Sequence, residues 1–144
     1  MVKRKTSGDN GSDVLPKGMQ VRLDQLRRKL LQLHKILLDA ERAAYEREHG
    51  RKTSGEILQL LINHEQFAWL HRISEFVVRI DEILEDEDPS DATTDAAILL
   101  TEARSLLMPS ETGDQFGKKY YEALQRQPDA VLAHKEVAAL LSDG

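Results

Sequence analysis

The side chains able to do chemistry are few: five His, three Tyr, one Trp and a set of carboxylates, with Cys absent. Lacking a thiol, the chain has no disulfide, thiolate zinc site, iron–sulfur cluster or cysteine nucleophile. Metal chemistry would have to come from imidazole and carboxylate. His71 and Glu75 form an HxxxE pair, which puts both side chains on one helix face in the manner of hemerythrin-type di-iron bundles. On a helical wheel the pair lies ~160° from the face made by Leu70, Ile73 and Val77, toward water, whereas a bundle metal sits inside. A companion HxxxH is missing. Glu46 and His49 give a single ExxH at a helix end, without the paired copy and additional glutamates of a ferritin-like centre. The expectation is no metal, no cofactor and no catalytic set of nucleophile, base and orienting group.

The remaining candidates are binding residues. His34 flanks a long apolar stripe in line with Leu31, Leu38 and Tyr45. A buried imidazole there would be a general base, a pH-sensitive hinge or a haem ligand; the plainer reading is a boundary residue with one hydrogen bond. His134 reads the same way. Phe67 and Trp69 sit in NHEQFAWLH, aromatics among polar neighbours at a helix start, where one ring can be core and another an exposed anchor. Tyr120 follows an apolar stripe and Tyr121 projects ~100° away from it. Leu31, Leu38, Tyr45, Phe67, Trp69 and Tyr121 are therefore the candidate interaction surface, and His34 marks a candidate boundary pocket.

These residues need helices to position them. Leu occurs 21 times and Ala 13 times against 14 Ile plus Val, so low-entropy helix formers outnumber β-branched residues and no sheet is expected. Leu23, Leu26, Leu30, Leu33, Leu37, Ala40 and Ala44 alternate in steps of three and four, giving one amphipathic helix from Met19 to about His49, stopped by Gly50. The second stripe, Leu31, Leu38 and Tyr45, makes its apolar surface too wide for one neighbour. Thr53 and Glu56 have capping-box spacing and open a short helix with Ile57, Leu58, Leu61 and Ile62. The face then rotates by ~100° to Leu70, Ile73, Val77, Ile80 and Leu84, which requires a break near Asn63 to Glu65, with Asn63 and Gln66 as a second capping box.

Between Asp81 and Asp91 seven of eleven residues are acidic, with Pro89 inside the run. Either this is a recognition loop or ion site, or it is a solvated connection; the ligand order of a calcium loop is missing, and the connection is the simpler reading. A helix from about Thr94 to Met108 follows, closed by Pro109. Thr112 and Gln115 then have capping-box spacing ahead of Phe116, Tyr120 and Leu124, and Pro128 suits the first turn of a last helix carrying Ala130, Ala133, Val137, Leu140 and Leu141.

The charge is uneven. Residues 1–52 carry 13 Lys and Arg against 7 acids, a balance of +6, while residues 53–144 carry 7 against 18, a balance of −11. Two readings compete: a basic surface for nucleic acid through Lys3, Arg4, Lys5, Arg22, Arg27, Arg28 and Lys29, or two halves that neutralise each other when packed. Residues 1–18 are polar, with Gly, Ser and Lys around one Pro, and read as a flexible arm; Met19 is a candidate translation start. No apolar run approaches the ~18 residues of a spanning helix, so no membrane association is expected and the cytoplasm is the expected compartment.

The stretches LQLHKILLDAERAAYEREHG, SGEILQLLINHEQFAWLHRISEFVVRIDEIL and YYEALQRQPDAVLAH resemble a group of short bacterial all-helical proteins, over roughly residues 26–141. The resemblance implies a compact bacterial helical domain and carries no activity, cofactor, partner or site residue. The sequence thus predicts an all-α antiparallel bundle of about six helices in one domain over 19–144, with helix 19–49 antiparallel to the helix ending near residue 85. Its expected role is non-enzymatic: a protein-interaction module or homo-oligomer. A nucleic-acid-associated protein is the first alternative; the second is a small-ligand or metal-binding bundle, with an enzyme or small-ligand pocket around His34, Tyr45 and Trp69.

Overall fold

The computed structural model describes residues 15–86 and 91–142; positions 87–90 of the acidic run, most of the N-terminal arm and the last two residues lie outside them. Seven helices and no strand occur among the described residues. The first, α1, spans Lys17–His49 and buries Leu23, Leu26, Leu30, Leu33 and Leu37 along one face, as the three-and-four spacing requires. It begins ahead of Met19: Leu15 is buried, and the Gln20 side chain donates to the Leu15 carbonyl at 2.8 Å. Gly50 ends it with φ of 84°, a left-handed turn that suits a residue without Cβ, and its N–H donates to the Glu46 carbonyl.

Thr53 and Glu56 make the expected reciprocal capping box at the start of α2, Ser54–Asn63. The expected break follows, with a different cap. His64, not Asn63, caps α3, Glu65–Ala68, its Nδ1 accepting from the Gln66 N–H at 3.1 Å. An imidazole nitrogen one residue later serves as well as an amide oxygen and leaves Asn63 to finish α2. A turn at Trp69 and Leu70 separates α3 from α4, His71–Glu85, which is why the bundle has one helix more than the six expected. Next come α5, Ala92–Leu106, α6, Gln115–Arg126, and α7, Pro128–Ser142, with Pro128 in the first turn. The cap of α6 is Asp114, whose Oδ1 accepts from the Gly117 N–H at 2.8 Å, instead of Thr112; the carboxylate sits directly before the helix, where the exposed amides are.

The helix α1 is the hub, packed against α4 on one side and α7 on the other, the two partners its width demands. Cross-links fix both as antiparallel. Trp69 reaches Glu41 while Arg27 reaches Asp81; Arg22 reaches the Leu140 carbonyl while Lys29 reaches Glu136. Of these, Arg27–Asp81 at 2.6 Å and Lys29–Glu136 at 3.0 Å join the basic half to the acidic half, so the charge asymmetry is in part internal complementarity. Among the described residues no helix is long and apolar enough to cross a membrane.

Candidate functional site

The residues singled out from the sequence separate into different environments. Leu31 is exposed, Leu38 and Tyr45 are half-buried against the core, and Tyr121 is half-buried on α6. Phe67 and Trp69 are buried. The Trp69 indole N–H donates to Glu41 Oε2 at 3.3 Å, and its ring meets Phe116 edge-on, centroids 5.4 Å apart, so it locks α1, the α3–α4 turn and α6 together. Tyr45 and Phe67 do come together, 5.8 Å between centroids, with His64 and His49 as further ring neighbours of Tyr45 at 5.4 and 4.3 Å. A shallow cleft between Tyr45 and α2 adjoins this cluster. The excess width of α1 is largely taken up by α4 and α7; Phe67 and Trp69 are core residues instead of exposed anchors, and the six candidates form no single surface.

His34 is half-buried, at the boundary position expected, and its ring has no hydrogen-bond partner among the described residues. Burial, and secondarily the charge of nearby His71, hold it below the usual histidine range. His71 and Glu75 are both exposed; the His71 Nε2–H donates to the Leu61 carbonyl at 2.7 Å, tying α4 to the last turn of α2. His134 fits the expectation of one hydrogen bond: its Nδ1 lies 2.7 Å from the hydroxyl of buried Tyr120. Burial raises the phenol and lowers the imidazole, so the two rest as a neutral pair. Among the described residues no group of three or more His, Asp and Glu is placed to hold a metal ion.

A further concavity is one that sequence reasoning missed. A groove of about 990 Å³ runs between α4, α5 and the segment leading to α6. Two large apolar side chains stand open in it, Val78 at 55% and Met108 at 68% exposure. Two guanidinium groups lie against aromatic faces, Arg79 at 5.2 Å from the Phe76 centroid and Arg72 at 6.0 Å from that of Phe116. Arg79 also pairs with Glu102 at 2.6 Å, bridging α4 and α5, whereas Arg72 and Glu75 have no ion pair among the described residues. Gly117 holds the outer wall in place. A Cβ there would stand 3.2 Å from Asp114 Oδ1 and 3.4 Å from Ser110 Cβ, so its absence lets the wall close on α6, where the Ser110 N–H donates to the Gly117 carbonyl at 3.3 Å. One signal was present in the sequence: Val78 interrupts the polar face of α4, flanked by Glu75 and Glu82.

The groove offers apolar contact, aromatic-backed cations and three carboxylates, of which Glu102 is paired with Arg79 and Asp114 caps α6, which is chemistry for binding. Its serines have no histidine partner; the Ser74 hydroxyl is engaged with the His71 backbone carbonyl. Compared with protein-family models, with curated proteins and with solved structures, the chain matches none.

Proposed function

We propose that this protein is a non-enzymatic interaction module that takes an apolar segment of a protein partner into the α4–α5 groove. One observation carries the reading: Val78 and Met108 are largely exposed in the same concavity, beside two aromatic-backed arginines. Met adapts its shape to a partner, and Arg and aromatic side chains are the residues on which interface energy concentrates. Arg72 and Glu75, which have no ion pair among the described residues, supply a rim with both charges, so the partner segment is apolar in the middle and mixed in charge at its edges.

Against the nucleic-acid alternative stands the way the four α1 cations it calls on are engaged. Arg22 donates to the Leu140 carbonyl, Arg27 pairs with Asp81, Arg28 with Asp24 and Lys29 with Glu136. Lys3, Arg4 and Lys5 lie outside the described residues. We keep with this reading the bacterial cytoplasm expected from the sequence, where a chain without Cys is indifferent to the reducing conditions.

Native mass spectrometry of the protein isolated from its host tests the proposal. A stable complex with a second polypeptide, lost when Val78 and Met108 are both replaced by Glu, is the expected result. Co-purification of a small molecule with no polypeptide would move the groove to the small-ligand alternative.

A further inference from the structure

The concavity between α4 and α5 continues past Arg79. That residue also lines a second hollow, nearer the connection between the two helices, together with Glu82, Asp86, Asp95 and Ile98. The Arg79–Glu102 pair therefore bridges the middle of one longer trough between antiparallel helices, with Met108 at one end and Ile98, 47% exposed, at the other. The two ends differ in charge. Beside Val78 and Met108, Arg72 and Glu75 offset one another; beside Ile98 stand three carboxylates, and the one cation there, Arg79, is already matched by Glu102. Asp95 has a local reason to be acidic, since it lies in the first turn of α5. Glu82 has none. It shares the last turn of α4 with Glu85 and with no basic residue, at the helix end where the dipole disfavours anions, and the three-residue spacing sets two like charges side by side. Neither glutamate has an ion pair among the described residues.

Resting on the interaction-module reading above, we infer that the partner segment is an amphipathic helix, basic at one end, which lies along this trough with its Lys or Arg over Glu82 and Asp95 and its apolar side chains over Val78 and Met108. Length and shape select a helix. The two walls are helices of 15 residues, about 22 Å each, and the space between them is a seat for a third rod. The exposed apolar side chains lie along it in a line, Ile98 and Met108 roughly 15 Å apart with Val78 between, which a helix meets with residues recurring at three and four. Charge selects the direction. A cation over Glu82 relieves the repulsion at the end of α4, whereas an anion there adds to it, so the acidic end fixes which way the helix lies more than how tightly it is held.

The test is photo-cross-linking of the full chain in host cells, with a benzophenone side chain at position 98 or 108 and the attachment sites mapped by mass spectrometry. The expected result is one polypeptide captured from both positions, joined from 108 among apolar residues spaced at three and four and from 98 within about one turn of Lys or Arg. Glu82→Lys lowers capture from 108 roughly fivefold while leaving the urea midpoint at or above the parent's, because a lysine suits the last turn of α4. The mapped segment, made as a peptide, binds the purified chain more weakly at about 0.5 M than at about 0.05 M salt, and Glu82→Lys removes most of that difference. Capture from 108 that is indifferent to Glu82→Lys, or a 98 attachment far from any Lys or Arg, overturns the inference and leaves the groove reading standing; no polypeptide captured from 108 overturns both. Attachment from 98 to residues 3–5 of the same chain also overturns it, giving the acidic end to the chain's own Lys3, Arg4 and Lys5.

Discussion

Leu30 and Leu31 are adjacent in α1 and chemically identical, yet the fold treats them as opposites. Leu30 is 0% exposed at the centre of the core stripe, and Leu31, one residue and ~100° further round the helix, is 42% exposed. Leu30→Ala removes three carbons from a filled space. At ~0.8 kcal/mol per buried methylene the transfer loss is ~2.4 kcal/mol, and the cavity left between α1 and its neighbours adds to it, for a total of about 3 kcal/mol. Alanine's better helix propensity returns only a few tenths of that in both variants. Leu31→Ala should therefore cost about 0.5 kcal/mol or less. Urea unfolding followed by the fluorescence of buried Trp69 reads both directly. With a slope of about 1.5 kcal/mol per M, Leu30→Ala lowers the midpoint by roughly 2 M and Leu31→Ala leaves it nearly in place. Equal shifts in the two variants would refute the assignment of faces and the packing built on it.

The other predictions concern the ionisable groups. Tyr120→Phe removes a fully buried hydroxyl from His134 Nδ1 and should cost about 1 kcal/mol in the same assay, since water can reach the half-buried ring in its place; an unchanged midpoint would mean that the 2.7 Å contact contributes nothing. His34 and His134 are both held below the ordinary value of 6.5, so the unfolded chain takes up their protons first as pH falls. Their contribution is complete above about pH 6.5 and declines as pH falls through that value toward the folded pKa values, so the protein should be less stable at about pH 5.5 than at about pH 7.5. His34→Gln should flatten this dependence, and a variant with the parent's slope would show that His34 is as easily protonated folded as unfolded.

What the sequence disclosed was local. The stripe from Leu23 to Leu37 and the Thr53–Glu56 box depend on residues a turn or less apart, and both could be read directly. The caps at His64 and Asp114 were misplaced because several polar side chains near a helix start can each accept an amide hydrogen, and backbone geometry chooses among them. Trp69 was ambiguous for a related reason: its burial depends on Phe116, 47 positions away, and on Glu41. The groove was illegible because it belongs to no single segment. Val78 is one odd residue on a polar face until α5 and the tightly closed approach to α6 set Met108 beside it in the same concavity. The pairing of Lys29 with Glu136 likewise joins residues 107 positions apart, which is why the excess of positive charge at one end leaves an outside partner and neutralisation by the other half as competing readings of the sequence.

The most direct test of the groove is photo-cross-linking in living host cells, with a benzophenone side chain at position 108 and, for comparison, at the exposed position 132. The proposal predicts a discrete adduct with one polypeptide from position 108, none from position 132, and loss of the adduct when Val78 is changed to Glu. Indistinguishable adducts from the two positions, or an adduct at 108 indifferent to Val78→Glu, would contradict it.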